Sequence, residues 1–198
     1  MQYWYKRLEE EYGSGFRSRK DASADIIAKR ALKELKRGDI VNIGFGIPET
    51  VCKYAAQAGI LESLTLTVES GGIGGLPAGG YNFGSMIGAG MICNMCELFD
   101  FYDGGGLDIC FMGGLEMDQF GNVNAHRSPD YISGIGGFGN ITAATHNVIF
   151  CITFNTKGLD IAEQDGRIVI NREGSIPKIV ERVRSISFSG RQAVKNGQ

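Results

Sequence analysis

Leu64-Thr65-Leu66-Thr67-Val68-Glu69-Ser70-Gly71-Gly72-Ile73-Gly74-Gly75-Leu76-Pro77-Ala78-Gly79-Gly80 is the stretch on which the reading of this chain turns. Its first five residues alternate apolar side chains with threonine, the two-residue period of a strand. One carboxylate, Glu69, follows, and glycine then occupies positions 71, 72, 74, 75, 79 and 80. Glycine lets main chain or ligand approach closely and leaves backbone N–H groups unshielded. The junction therefore predicts a carboxylate nucleophile facing an oxyanion-binding wall. A solvated carboxylate at an ordinary strand end, followed by a turn, is the competing reading.

The same junction recurs outward from there. Asp39–Ile43 reads as a strand entering Gly44-Phe45-Gly46-Ile47-Pro48-Glu49-Thr50, after which Val51, Tyr54, Ala55 and Ala58 mark a helix with proline in its first turn. Strand, turn and helix start form an anion-binding arrangement. It is not a dinucleotide fingerprint, because Glu49 stands where the third glycine belongs. Leu107–Met112 predicts a strand ending at Gly113-Gly114, Gly121–Asn124 a tight turn, Ser133–Asn140 a bare-backbone loop and Asn147–Thr153 a strongly buried strand. Upstream, Ser23-Ala24-Asp25 reads as the cap of a helix reaching about Arg37, with Ile26, Ile27, Ala31, Leu32 and Leu35 on one face. Further strands are expected at 166–170 and 179–188. Repeated strand–glycine–helix units predict an α/β fold, an open and largely parallel sheet flanked by helices with ligand loops at its carboxyl edge.

Composition narrows the function classes. The 198 residues are 43% hydrophobic, enough for one core, which is placed at 22–198 with 1–21 as an N-terminal extension. A net charge of −2 with scattered Lys and Arg gives no basic stripe, so nucleic acid is excluded as a partner. No apolar run approaches the roughly 20 residues of a membrane span, and the charged start MQYWYKRLEEEYGSGFRSRK is unlike a signal peptide, which points to the cytoplasm. The five cysteines are odd in number and lie in apolar segments, as reduced thiols packed like small hydrophobes do. Cys93-Asn94-Met95-Cys96 has the spacing of a zinc half-site or redox pair, but no second ligand pair accompanies it and the chain has two histidines, so no metal is expected. Asp103, Asp108 and Asp118 flank glycine turns as backbone caps, and His126 and His146 read as surface or loop residues. Glycine, at 30 residues, is about twice its usual share and is grouped between strands, which places function in those loops.

Taken together, VNIGFGIPE, TVESGGIGGLPAGG, FDFYDGGGLDICFMGGLEMDQFGNVN and GIGGFGN resemble, in order and spacing, the glutamate-bearing (beta or C-terminal) half of the family I CoA-transferases, most of all the fused propionate or acetate type. The resemblance covers about residues 22–190. It implies a fold shared with sugar-phosphate isomerases and a reaction moving CoA from a short-chain acyl-CoA to a free carboxylate. Glu69 would form a mixed anhydride and then a glutamyl-CoA thioester in a ping-pong cycle. It further implies CoA-binding or oxyanion roles for Gly44, Phe45, Gly46, Ile47 and Pro48, for Gly113 and Gly114, and for Ser133, Gly136 and Gly137. Tight turns and close packing are the rival explanations of these residues. No cofactor is implied beyond CoA as substrate. Relatives need a second half and carry a longer tail, so an alpha-type partner or a homo-oligomer is expected and the chain reads as C-terminally short. A non-catalytic assembly subunit that keeps the fold is the alternative. A sugar-phosphate isomerase would want a basic phosphate pocket, and these loops carry almost no Lys or Arg.

Overall fold

The computed structural model of the chain describes residues 22–79 and 82–198, so the expected extension lies outside the described residues. In chain order, α1 (Ala22–Ala31) is followed by β1 (Ile40–Ile43), α2 (Glu49–Gln57), β2 (Thr65–Val68), β3 (Gly72–Ile73), β4 (Leu76–Pro77), β5 (Met86–Ile87), β6 (Met91–Ile92), α3 (Met95–Asp103) and β7 (Ile109–Met112). Then come β8 (Glu116–Asp118), β9 (Val123–Asn124), α4 (Phe138–Ala144), β10 (Asn147–Phe150), β11 (Asn155–Thr156), β12 (Asp160–Gln164), β13 (Arg167–Arg172), β14 (Ile176–Pro177), β15 (Ile179–Val180) and α5 (Gly190–Asn196).

The principal sheet has the order β10-β7-β1-β2-β3-β6. Its first four strands are mutually parallel; at one side β3 pairs antiparallel with β2, and β6 antiparallel with β3. This is the expected α/β sheet, parallel at its centre and mixed at one margin. Alternate residues divide the core into two layers, as a pleat with both faces covered requires. Val41, Ile43, Leu66, Ile109 and Phe111 pack under α1 and α2, while Cys110 and Met112 pack with Leu98 and Tyr102 of α3 and Phe138 and Ile141 of α4. Removing a side chain such as Phe111 or Leu98 from water contributes roughly 1.5–3 kcal/mol.

Several local expectations change in the structure. The first helix ends at Ala31, not near Arg37, because after a 3₁₀ turn Leu35 turns extended, Gly38 takes φ +93° and the Asp39 carboxylate accepts the Lys36 N–H at 2.7 Å. Ser23 lies inside that helix and is buried; of the expected face, Ala31 is buried and Ile27, Leu32 and Leu35 pack half-buried on the core, and Ala24 and Ala28 join the buried positions. Asn147–Phe150 pairs with β7 alone and is only half-buried, since it lies at the sheet margin. The tight turn comes earlier than read: Asp118 accepts the N–H groups of Phe120 and Asn122, which leaves Val123–Asn124 extended. The glycine loop stops at Gly137, where α4 begins. Residues 179–188 hold a strand only at 179–180, plus a bridge from Phe188 to Val123.

Asp108 caps the Ile40 N–H at 2.7 Å as expected, whereas Asp103 accepts the side-chain amide of Asn140. Cys52, Cys110 and Cys151 are buried, but Cys96 is exposed. His146 is exposed, and His126 is a half-buried loop residue with its ring between the hydroxyls of Ser187 and Ser185. Among the described residues no cluster of three or more His, Cys, Asp or Glu could hold a metal, and no helix is long and apolar enough to cross a membrane.

Candidate functional site

Parallel pairing makes β10, β7, β1 and β2 end on one edge, and there the glycine junctions converge. Glu69 follows β2, the Gly44–Pro48 turn follows β1, and Gly113-Gly114 follows β7. Gly136 and Gly137 arrive from the loop before α4. A cavity of about 630 Å³ lies among them, and Gly44, Phe45, Gly46, Ile47, Glu69, Gly113, Gly114, Gly136 and Gly137 all line it.

A Cβ would be crowded at several of these glycines. A Cβ on Gly137 would sit 3.3 Å from Glu69 Cγ and 2.9 Å from the Phe99 ring, so the absence of a side chain there is what admits the Glu69 stem. A Cβ on Gly44 would meet the Phe111 carbonyl oxygen at 2.8 Å. At Gly114 the same atom would touch Val123 and Ile152, so packing alone accounts for that glycine as well. The amide of Gly44 donates to the Phe111 carbonyl and that of Gly46 to the Glu49 carboxylate, each at 2.8 Å. Those two glycines thus shape the wall while spending their own N–H groups inside the protein.

Two implied residues do not reach the cavity. Pro48 is buried at the start of α2, where its fixed φ of −53° sets the helix in motion. Ser133 is exposed, and its hydroxyl donates to the His126 carbonyl oxygen at 3.2 Å, closing a surface turn.

Glu69 is half-buried. Burial pushes its carboxyl above the ordinary 4.5, against hydrogen bonds from its own backbone and from the Asn42 side chain. Beneath it runs a polar chain. Thr67 Oγ1 donates to the Val41 carbonyl oxygen at 3.1 Å, the Tyr102 hydroxyl donates to Thr67 Oγ1 at 2.9 Å, and Asn42 Nδ2 donates to the Tyr102 oxygen at 3.4 Å. Asn42 Oδ1 is buried without a partner, a cost of about 1–3 kcal/mol. Sequence reasoning passed over Asn42, although a polar residue in an otherwise apolar strand is a usable signal. Phe83, whose ring meets Phe45 edge-on at 5.3 Å, and Lys178 also line the cavity. Neither stands in a motif, and distant segments bring them there.

Residues 24–160 match the family model described as coenzyme A transferase. Caffeate CoA-transferase of Acetobacterium woodii is 40% identical over 87% of this chain and 34% of that protein. The acetate CoA-transferase subunit beta of Escherichia coli (strain K12) is 32% identical over 76% of this chain and 70% of its own length. Among solved structures, the thioester complex with CoA of acyl-CoA transferase (YdiF) from E. coli O157:H7 superposes with a TM-score of 0.81 at 35% identity, covering 93% of this chain and 35% of that one. The chain spans about a third of the length of the first and last of these.

Proposed function

The chain belongs to the coenzyme A transferase family, and from that premise we propose that it moves CoA between a short-chain acyl-CoA and a free carboxylate with Glu69 as nucleophile. A glutamate carboxylate on the wall of a glycine-lined cavity carries this reading. A Glu69 oxygen adds to the thioester carbonyl and CoA leaves as thiolate, giving an acyl–glutamyl anhydride. The thiolate then attacks the Glu69 carbonyl carbon, expelling the first carboxylate and leaving a glutamyl-CoA thioester. An acceptor carboxylate runs the two steps in reverse. Every step is an acyl transfer in which the leaving group keeps the bonding electron pair, so redox chemistry is not needed and CoA is the substrate that returns. The solved relative caught as a thioester complex with CoA supports the covalent step.

Carboxylates are weak nucleophiles, and partial burial suits this one: stripped of some of its water, the anion is more reactive, and Gly137 and Asn42 limit its freedom. A relative named as subunit beta supports a separate alpha-type half that completes the acyl and CoA pocket. The deciding experiment incubates the enzyme, assembled with that half, with acyl-CoA and no acceptor. Peptide mass analysis should find CoA on the Glu69 peptide, and an adduct on any other residue overturns the reading.

The glycine wall has its own test. Gly137→Val should slow adduct formation and weaken CoA binding, each roughly tenfold, because a branched side chain enters the space of the Glu69 stem. Gly46 has φ +89° and open space where a Cβ would stand, with nothing within 4 Å, so Gly46→Val should lower CoA affinity through a side chain projecting into the cavity mouth. Calorimetric titration of folded variants with CoA checks both, and unchanged affinity would make the loops mere turns.

A further inference from the structure

We infer that Asn42 is a positioning residue for Glu69, its amide N–H steering the carboxylate from a buried mount formed by Tyr102 and Thr67. The inference rests on Glu69 being the nucleophile.

Register places the parts. Asn42 of β1 is the direct partner of Thr67 of β2, so both side chains project from the face that α3 covers. Glu69 stands two residues beyond Thr67, in the turn that follows β2, and its stem lies beside Gly137 and the Phe99 ring, which itself meets the Tyr102 ring edge-on at 5.8 Å. Asn42 and Thr67 are wholly buried, and Tyr102 lies over them with no exposed surface.

Counting donors then fixes the orientation of the Asn42 amide. The Val41 carbonyl can only accept, so the Thr67 hydroxyl spends its hydrogen on it. Thr67 must therefore accept from Tyr102, whose single hydrogen is thereby used. The Tyr102 oxygen can now only accept, and it takes a hydrogen from Asn42 Nδ2. Turning the amide over would set its carbonyl oxygen against that oxygen's lone pairs. One N–H of Asn42 is thus pinned to Tyr102, which leaves the second for the Glu69 carboxyl, on which the Asn42 side chain acts. The orphaned Oδ1 is the counterpart of this arrangement. An apolar side chain would leave no orphan at this site, but it would have no N–H to hold the carboxylate. The Tyr102 hydroxyl, pushed by burial to about 12, stays neutral while Glu69 titrates, and Cys93 is the other titratable group acting on Tyr102.

The test compares Asn42→Ala and Tyr102→Phe in the assembled enzyme, with rates expressed per site able to form the CoA adduct. Asn42→Ala should lower kcat about a hundredfold, the scale set by an ångström of misplacement. KM for acyl-CoA should hold within about twofold, and the acid limb of the pH–rate profile should move to higher pH as the carboxylate loses a donor. Tyr102→Phe should shift both in the same direction by less, and Asn42→Ser, which restores a short donor, should recover part of the rate. A purely structural role would lower the number of competent sites while leaving the rate per site and the acid limb as in the wild type, and that result overturns the inference. Should Asn42→Ala fail to fold, an unchanged rate per site and acid limb in Tyr102→Phe has the same force. Loss of the Glu69 assignment would show itself separately, as a wild-type adduct on another residue.

Discussion

Glu69→Ala is expected to leave no CoA adduct and to lower turnover by roughly 10⁴-fold or more, the scale on which loss of a covalent nucleophile acts. Glu69→Asp keeps the charge but draws it back by a methylene, and misplacement of that order costs about a hundredfold. The pH dependence follows from the raised carboxyl. In the mechanism proposed for Glu69 only the ionised form attacks, so activity should fall on the acid side with a midpoint above 4.5. The effect on stability has the opposite sense. A carboxyl whose folded-state pKa lies above its unfolded value favours folding below the unfolded pKa, and that contribution is lost as pH rises through the folded one. At neutral pH the anion is therefore a burden on the fold, and Glu69→Gln, inactive, should melt at a higher temperature than the wild type. Thermal unfolding at pH 7 and a quenched assay for transferred CoA check the two halves. Full transfer by Glu69→Ala would remove Glu69 from the mechanism.

The second large effect is on stability, at Gly71. This residue has φ +114°, and a Cβ there would lie 2.0 Å from the Cys93 carbonyl oxygen, which is main chain and has no free rotor to swing aside. The two segments are tied by the Cys93 N–H donating to the Gly71 carbonyl at 3.0 Å, so relief requires parting the strands that hold the Glu69 loop. Backbone strain and the forced separation together should cost about 3–4 kcal/mol in Gly71→Ala. At this chain length that lowers the melting temperature by roughly 10 °C. Gly38→Ala is the comparison: φ is +93° but nothing lies within 4 Å, so only the conformational part, about 1 kcal/mol, remains. Equal urea midpoints for the two variants would show that the Cys93 contact is not limiting.

What could be read from the residues alone was whatever depends on neighbours in sequence. The alternation in Leu64–Val68 and the glycines beyond it located β2 with Glu69 just past its end, and the same logic located β1, β7 and their turns. The parallel order could be expected from repeated crossovers. What escaped depends on partners far along the chain. Of the face expected for the first helix, Ala31 is buried and Ile27, Leu32 and Leu35 pack against the core, but Ala24 and Ala28, buried where α1 meets α2, went unread. Ser133 sat in a convincing motif, yet its hydroxyl is consumed by His126, and nothing local announces that bond. Asn42 drew no notice within β1, because its partner Tyr102 comes from α3, sixty residues on.

The sheet order also bears on the sequence of events in folding. β1 lies between β2 and β7, and the chain reaches β2 by residue 65 but β7 only at residue 109. Closing the longer connection costs about 1 kcal/mol more in chain entropy, enough to delay it several-fold. During refolding the Thr65 amide, which donates to the Asp39 carbonyl, should gain protection from exchange before the Gly44 amide, which waits for the Phe111 carbonyl. Pulse labelling can follow both, and simultaneous protection would mean that the sheet assembles in one event. Gly44 lines the cavity, so on this order the fold acquires its central strand pair before it acquires a site.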